Sequence, residues 1–334
     1  MSDLKANILD LSRQSRIAPL SPWFEQQLDA QIERGTYLPI AKVQDVGEQI
    51  VQDLGLYRAQ TSVRTVVLGM SGGVDSALTA ALFKAAGWRV IGLTLPIHQN
   101  ADETERGIEA CAALGIEHIH KDLSGLYDAA LVDMADVDPG LVNDSTDRAT
   151  NTRRGNVRAR LRMITLYNLA ARHAGVVAST DNYSELCAGF WTLHGDVGDL
   201  APIQSLLKSW DVPALARVSG VPEKTWRATP TDGLAILQGG DEAQLGCTYL
   251  EWDLMVNAIQ HAMVTHPSDL DALVGGALVR GERAKEVLGL VFRRMRGNWY
   301  KRMSPVMLRH AFEKRYDQLE AMDSRLFRPP VVTR

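Results

Sequence analysis

The sequence predicts an α/β protein: a doubly wound parallel sheet with helices on both faces, followed by a mainly helical carboxyl-terminal part. Three observations predict it. Between Thr65 and Ala178, apolar runs of strand length alternate with helical stretches, the pattern of a parallel sheet buried beneath its crossover helices. The first run, Thr65-Val66-Val67-Leu68, passes at once into a glycine turn and then into the helix-forming Ala77–Lys84. A second polar segment, Thr180–Glu185, follows a later strand, at the carboxyl end where open parallel sheets bind ligands.

The elements follow in order. Residues 1–60 read as helices separated by turns at Pro19, Pro22 and Pro39, with Val46, Ile50, Val51 and Leu54 at helical spacing. Strand 65–70 precedes helix 75–86, and strand 89–95 stops at Pro96. Helix 102–114 ends at Gly115, strand 116–120 is short, and helix 123–134 follows. Residues 136–154 are polar and are expected as turns. Helix 156–173 runs to Gly175 and strand 176–178 completes the sheet. Beyond Gly198, helices are expected at 212–218, 240–262 and 268–290, with loops at 226–240 and 264–267. The predicted division is a helical extension (1–40), one α/β domain with its helical part (41–320) and a poorly ordered tail (321–334).

Bulk properties narrow the class. A net charge of −4 gives no electrostatic case for nucleic acid. Cys111, Cys187 and Cys247 lack metal-ligand spacing and fit buried thiols in a reducing compartment. The polar amino terminus is no signal peptide, and no uncharged run approaches the ~20 residues of a membrane helix. The expectation is a cytoplasmic protein.

The turn Gly69-Met70-Ser71-Gly72-Gly73-Val74-Asp75-Ser76 is a seat for phosphate. Its glycines let backbone N–H groups converge where a helix dipole favours negative charge. Asp75 beside phosphate implies an intervening cation, Mg²⁺; a plainer reading has it only favouring the helix dipole. The loop has neither GxxxxGK[ST] nor GxGxxG spacing. Reading S-G-G-x-D-S, it resembles the PP-loop of the ATP pyrophosphatases, which cleave ATP between the α- and β-phosphates.

Further motifs sharpen the resemblance. Gly155-Asn156-Val157-Arg158-Ala159-Arg160-Leu161-Arg162-Met163, Ser179-Thr180-Asp181-Asn182-Tyr183-Ser184-Glu185 and the stretch Gly189–Pro202 are similar to three segments of the NAD synthetases. Lys208, Pro230-Thr231, Asp241-Glu242, Leu245-Gly246 and Tyr300-Lys301-Arg302 continue the match, which spans roughly residues 40–305. The resemblance implies a Rossmann-like fold of the adenine nucleotide alpha hydrolase type. It implies Mg²⁺ bound by Asp75 and Glu185, and ATP held by Gly69–Ser76, Thr180, Lys208 and Thr231. Deamido-NAD⁺ would meet Arg160, Asp199, Tyr300 and Lys301, with Asp196 near the ammonia. The implied reaction joins ammonia to deamido-NAD⁺ through an acyl-adenylate, with Asp75, Glu185, Asp196 and Lys208 as its catalytic set, in a homodimer. Glutamine-dependent relatives carry an amino-terminal amidase with a catalytic cysteine. Only 68 residues precede the loop here and no cysteine precedes Cys111, so free ammonia is the expected donor.

Each assignment has a plainer alternative. Glu185 can form a capping box with Asn182, Arg160 can be a solvated helix residue, Asp196 a turn aspartate and Lys208 surface charge. Arg158 and Arg162 share a helix face while Arg160 points elsewhere. His118 and His120 are expected to be structural, and the basic 293–302 run to meet the phosphates of a dinucleotide. Leu161, Ile164, Leu166 and Leu169 suit either a subunit contact or the chain's own core. Two departures stand out: Leu193 replaces the lysine usual in ammonia-type members, and the Gly195–Asp199 turn is shorter. Residues 1–40 and 262–290 have no counterpart in the short members. The rival readings are a tRNA-modifying PP-loop enzyme and a nucleotide-binding module without chemistry.

Overall fold

Strands flanked by helices on both sides are apolar on both faces, and the first strand of this protein obeys that rule. The structure is a computed structural model and describes residues 2–142, 147–231, 233–234, 239–304 and 318. Three helices come first, α1 (Ser2–Leu11), α2 (Gln14–Ile17) and α3 (Pro22–Glu33), and then the long α4 (Ile40–Gln60). β1 (Thr65–Gly69), α5 (Val74–Ala85), β2 (Arg89–Thr94), α6 (Ala101–Leu114), β3 (Glu117–His120), α7 (Ser124–Ala135), α8 (Arg148–Arg172) and β4 (Val176–Val177) build the sheet unit. The remainder is helical: α9 (Tyr183–Ala188), α10 (Asp211–Val218), α11 (Glu223–Trp226), α12 (Gly240–Leu245), α13 (Tyr249–Thr265), α14 (Pro267–Val274) and α15 (Glu282–Gly297).

The four strands are parallel in the order β3-β2-β1-β4, with Val67 paired to both Ile91 and Val177. Side chains of successive strand residues point to opposite faces. Val66, Leu68 and Val90 therefore join Leu78, Leu82 and Phe83 of α5 and Cys111 of α6 in one core. Val67, Ile91, Leu93 and Val177 join Tyr127 of α7 and Met163, Leu166 and Ala170 of α8 in another. This is the doubly wound sheet expected from sequence. Its strand order reverses between β1 and β4, so the crevice that accepts ligands opens at their carboxyl ends.

Residues 148–154, expected as turns, are the first turns of α8. The Asp147 side chain caps that helix by accepting the Thr150 N–H at 3.0 Å, and Arg153 and Arg154 bond Asp138 and the Leu141 carbonyl. The helix expected over 240–262 breaks at Gly246, whose φ of 83° ends α12. Thr248 and Glu251 then start α13 with a capping box. The stretch expected as helix 268–290 breaks between Val274 and Glu282, leaving α14 and α15. The loop expected at 264–267 shrinks to His266, between α13 and α14. The tail expected at 321–334 lies outside the described residues.

On α8, Leu166 is core, Leu161 and Leu169 pack against it, and Ile164 stays 66 % exposed. The amino-terminal helices are packed as firmly: Ile8, Phe24 and Leu28 are fully buried, and Gln31 donates to the Leu254 carbonyl of α13 at 2.9 Å. Thr94 bonds His118 Nε2 and His120 Nδ1, each at 2.9 Å, which accounts for the strand histidines structurally. All three cysteines are buried and unpaired with one another. Among the described residues, no helix is long and apolar enough to cross a membrane.

Gly72 is the tightest point of the loop after β1. Its φ is 85°, and a Cβ there would collide with the Glu103 backbone carbonyl. Gly72→Ala should lower the free energy of unfolding by about 2–3 kcal/mol, read from urea denaturation. An unchanged midpoint and slope would show that the loop can reshape.

Candidate functional site

A cavity of about 660 Å³ opens at the carboxyl ends of β1 and β4. One wall is the glycine loop. Ser71 Oγ lies 3.2 Å from Ser76 Oγ and accepts the Gly73 N–H at 3.3 Å, while Ser76 donates to the Gly73 carbonyl at 3.1 Å. Of the loop residues 69–76, all but Gly72 line the cavity; Gly72 sits behind it, against Glu103.

Asp75 stands in the first turn of α5, and both its oxygens are engaged. Oδ1 accepts from Asn182 Nδ2 at 3.0 Å, and Oδ2 forms an ion pair with Lys208, whose side chain is only 6 % exposed. The plainer reading of Lys208 as surface charge is therefore excluded. Burial works to strip the Lys208 proton. The charges of Asp75 and Glu185 outweigh it, holding the ammonium above the ordinary lysine range. Tyr249 adds a ring face 5.7 Å from Nζ.

Glu185 serves locally and in the cavity. It completes the capping box of α9, accepting the Asn182 N–H at 3.3 Å while its own N–H bonds Asn182 Oδ1 at 3.0 Å. It also lines the cavity near Asp75, and burial together with the charge of Asp75 pushes its carboxyl well above the usual range. Asp181, which the motifs contained without a role, is buried and lifted to about 7 by burial and then by Asp196, against a hydrogen bond from Ser179. Asp75, Asp181, Glu185, Asp196 and Asp241 thus share one region with the buried Lys208 and the half-buried Lys301. Among the described residues no group of three or more His, Cys, Asp or Glu side chains is arranged to hold a metal ion. Asp75 and Glu185 offer two carboxylates at the phosphate seat.

The remaining predicted residues divide. Thr180, Thr231, Arg160, Asp196, Tyr300 and Lys301 line the cavity. Arg160 bonds the Leu193 carbonyl through Nε and Nη2, both at 3.3 Å. Arg162 turns to the Leu95 carbonyl at 3.0 Å and Arg158 lies 4.9 Å from the Tyr127 ring, so Arg160 does point elsewhere. Thr231 donates to Glu103 at 2.7 Å, and the Thr192 N–H donates to Asp196. Asp199 is not among the lining residues: its carboxylate accepts the Val177 N–H at 2.8 Å and the Tyr167 hydroxyl at 2.9 Å, beside β4. The basic 293–302 run is partly committed to protein. Lys301 and Arg302 bond the carbonyls of Gly189 and Cys187 at the carboxyl end of α9, as cations there should, and the neutral Asn298 amide donates to the Ala188 carbonyl.

Sequence reading missed Asn182 as a partner of Asp75, and Arg148, which also lines the cavity; Arg294, within the basic 293–302 run, lines it as well. The signal for Arg148 was an Asp147 N-cap hidden in a polar stretch. Behind Lys208, Asp253 accepts the Ser209 N–H at 3.1 Å and Asp211 accepts the Leu207 N–H at 2.9 Å, pinning the lysine's segment from beneath.

A model of the NAD synthase family matches residues 46–305. The NH(3)-dependent NAD(+) synthetase of Methanosarcina acetivorans is 35% identical over 251 residues, 74% of this chain and 90% of that protein. The enzyme of the same description from Alkaliphilus oremlandii is 35% identical over 206 residues, 60% of this chain and 80% of its own. Among solved structures, an NMN synthetase from Francisella tularensis aligns with a TM-score of 0.63 at 26% identity, covering 81% of this chain and 99% of its own. An NH3-dependent NAD synthetase from Campylobacter jejuni aligns at 0.60 and 26%, covering 80% and 99%.

Asp211 gives a pH test that leaves the cavity lining untouched. Burial, and then the charge of Asp253, raise its carboxyl to about 7 despite the Leu207 hydrogen bond, from an ordinary 3.8. A raised acid favours folding while protonated, so this contribution is lost as pH rises from about 4 to 7. Between pH 5 and 8 the stability of Asp211→Asn relative to wild type should rise by about 3 kcal/mol. A pH-independent difference in urea unfolding would contradict the assignment.

Proposed function

The chain belongs to the NAD synthase family, and from that premise we propose that it amidates deamido-NAD⁺ to NAD⁺ with free ammonia, converting ATP to AMP and pyrophosphate. The observation that carries the reading is the meeting of the phosphate loop, Asp75, Glu185 and Lys208 in one cavity. Neither rival has such support. A module that only held ATP would not need two carboxylates at the phosphate loop, and nothing in the net charge favours tRNA.

The chemistry follows from the residues. A carboxylate resists amines at neutral pH because its oxygen leaves poorly. In the first step the nicotinate carboxylate oxygen bonds the α-phosphorus of ATP and the bond to the β-phosphate oxygen breaks, giving acyl-adenylate and pyrophosphate. In the second the ammonia nitrogen bonds the acyl carbon, AMP departs with its oxygen, and the nitrogen loses a proton. Ser71, Ser76 and the loop N–H groups hold the departing pyrophosphate. Lys208 exchanges Asp75 for phosphate oxygens. Asp196 receives the proton from ammonium or from the attacking nitrogen. Arg160, Tyr300 and Lys301 orient the dinucleotide, Thr180 and Thr231 the ATP.

Asp75 and Glu185 fit a divalent cation, because two carboxylates forced together at a phosphate seat repel each other and the nucleotide unless positive charge lies between. Mg²⁺ bound there would supply neutralisation of the triphosphate. The exposed Ile164, with Tyr167 40 % exposed one turn away on α8, supports a homodimer, and we place the enzyme in the cytoplasm.

The direct test is purified protein with ATP, Mg²⁺, deamido-NAD⁺ and ammonium, assayed for NAD⁺, with the nicotinate mononucleotide run in parallel. NAD⁺ formation should depend on ammonium and exceed turnover of the mononucleotide; the reverse order would overturn the substrate. Asp75→Ala should cut pyrophosphate release by ~10²-fold or more. Release close to the wild-type rate would remove Asp75 from the reaction.

A further inference from the structure

We propose that Arg148 and Arg294 form a second anion seat in this cavity, which takes a phosphate group of the pyridine dinucleotide. The inference rests on the functional reading above and extends it to residues that the motif comparison does not assign. Arg148 opens α8 and Arg294 stands in the last turn of α15, 146 positions away in the chain. Both line the cavity, and both donate an Nη2 hydrogen to the same acceptor, the Gln244 carbonyl, Arg148 at 3.3 Å. Two guanidinium groups thus converge on one oxygen.

Like charges brought together need a reason. Each guanidinium has five N–H donors, and one carbonyl oxygen satisfies only two of the ten. Among the described residues neither arginine has an ion pair. The Phe190 ring lies 5.4 Å from the Arg294 guanidinium and steadies its plane. Thr152 and Asn156 continue the Arg148 face at four-residue steps and also line the cavity. Burial and the charge of Arg148 pull Arg294 below the ordinary arginine range, a cost that a bound anion would remove.

Bracing the end of α12 does not account for the pair. That helix has six residues, and Arg283 already donates to the Gly246 carbonyl just past it at 3.3 Å. A planar fork pair instead suits phosphate. The ATP phosphates have the loop after β1. The pair borders Phe190 and the Tyr300-Lys301 segment, where the dinucleotide is placed. It also supplies positive charge on the cavity wall of a chain whose Leu193 stands where related enzymes have lysine.

The test compares wild type with Arg148→Gln, Arg294→Gln and Arg294→Lys by steady-state kinetics, and by calorimetric titration with deamido-NAD⁺ and with ATP. Each glutamine variant should raise the Kd and KM for deamido-NAD⁺ about tenfold or more. The KM for ATP and kcat should stay within about twofold, and Arg294→Lys should recover part of the loss. Unchanged deamido-NAD⁺ affinity, or a lower melting temperature with both affinities intact, would reduce the pair to a structural brace and overturn the proposal. A rise confined to ATP would overturn its assignment to the dinucleotide. Calorimetry needs no turnover, so wild type that binds deamido-NAD⁺ without amidating it would sink the reaction and leave the seat standing.

Discussion

The buried ion pair of Asp75 and Lys208 is the constraint around which this protein is arranged. Charges removed from water are costly unless each meets an opposite charge and its remaining hydrogen bonds are made. Meeting that demand draws together three segments distant in sequence: the first turn of α5, the start of α9 through Asn182, and the stretch before α10 that carries Lys208. The strand reversal between β1 and β4 puts the first two side by side. The third is held from below by Ser184, Asp211 and Asp253. The cavity is the space these obligations leave open.

Lys208 and Lys301 do not balance the acids gathered there. The carboxyls of Glu185 and Asp181 are both raised, chiefly by burial and then by neighbouring carboxylates. Such a site calls for more positive charge, which the proposed cation-bound nucleotide would supply. Lys208 is the counter-charge that pairs with Asp75 in this structure. Arg148, Arg294 and Arg160 line the same cavity. Carboxylates and guanidinium groups in one cavity suit the two anionic substrates proposed, one met through a cation and one through guanidinium groups.

Much of this was legible in the sequence where a local rule coincides with a tertiary one. Val66, Val67 and Leu68 are apolar because both sheet faces are covered, and the glycines of the loop fall where the backbone turns. The split of Arg160 from Arg158 and Arg162 followed from helical geometry alone. Failures came where long-range partners decide. The first turns of α8 look like a loop because their polar side chains find Asp138, Leu141 and Gln244 only in the folded chain. The breaks at Gly246 and after Val274 hide in apolar helical periodicity. Glu185 shows that two readings need not compete, since its capping role aims it beside Asp75. Asp199 was placed by resemblance through a turn of altered length, and its carboxylate is occupied by Val177 and Tyr167.

The most direct measurement is a crystal structure with a non-hydrolysable ATP analogue and Mn²⁺, the metal located by anomalous scattering. The triphosphate should lie against Ser71–Ser76, with the metal coordinated by carboxylate oxygens of both Asp75 and Glu185 and Lys208 turned from Asp75 to a phosphate oxygen. A triphosphate bound away from the loop, with the Asp75–Lys208 pair intact and no metal on either acid, would contradict the proposed mechanism.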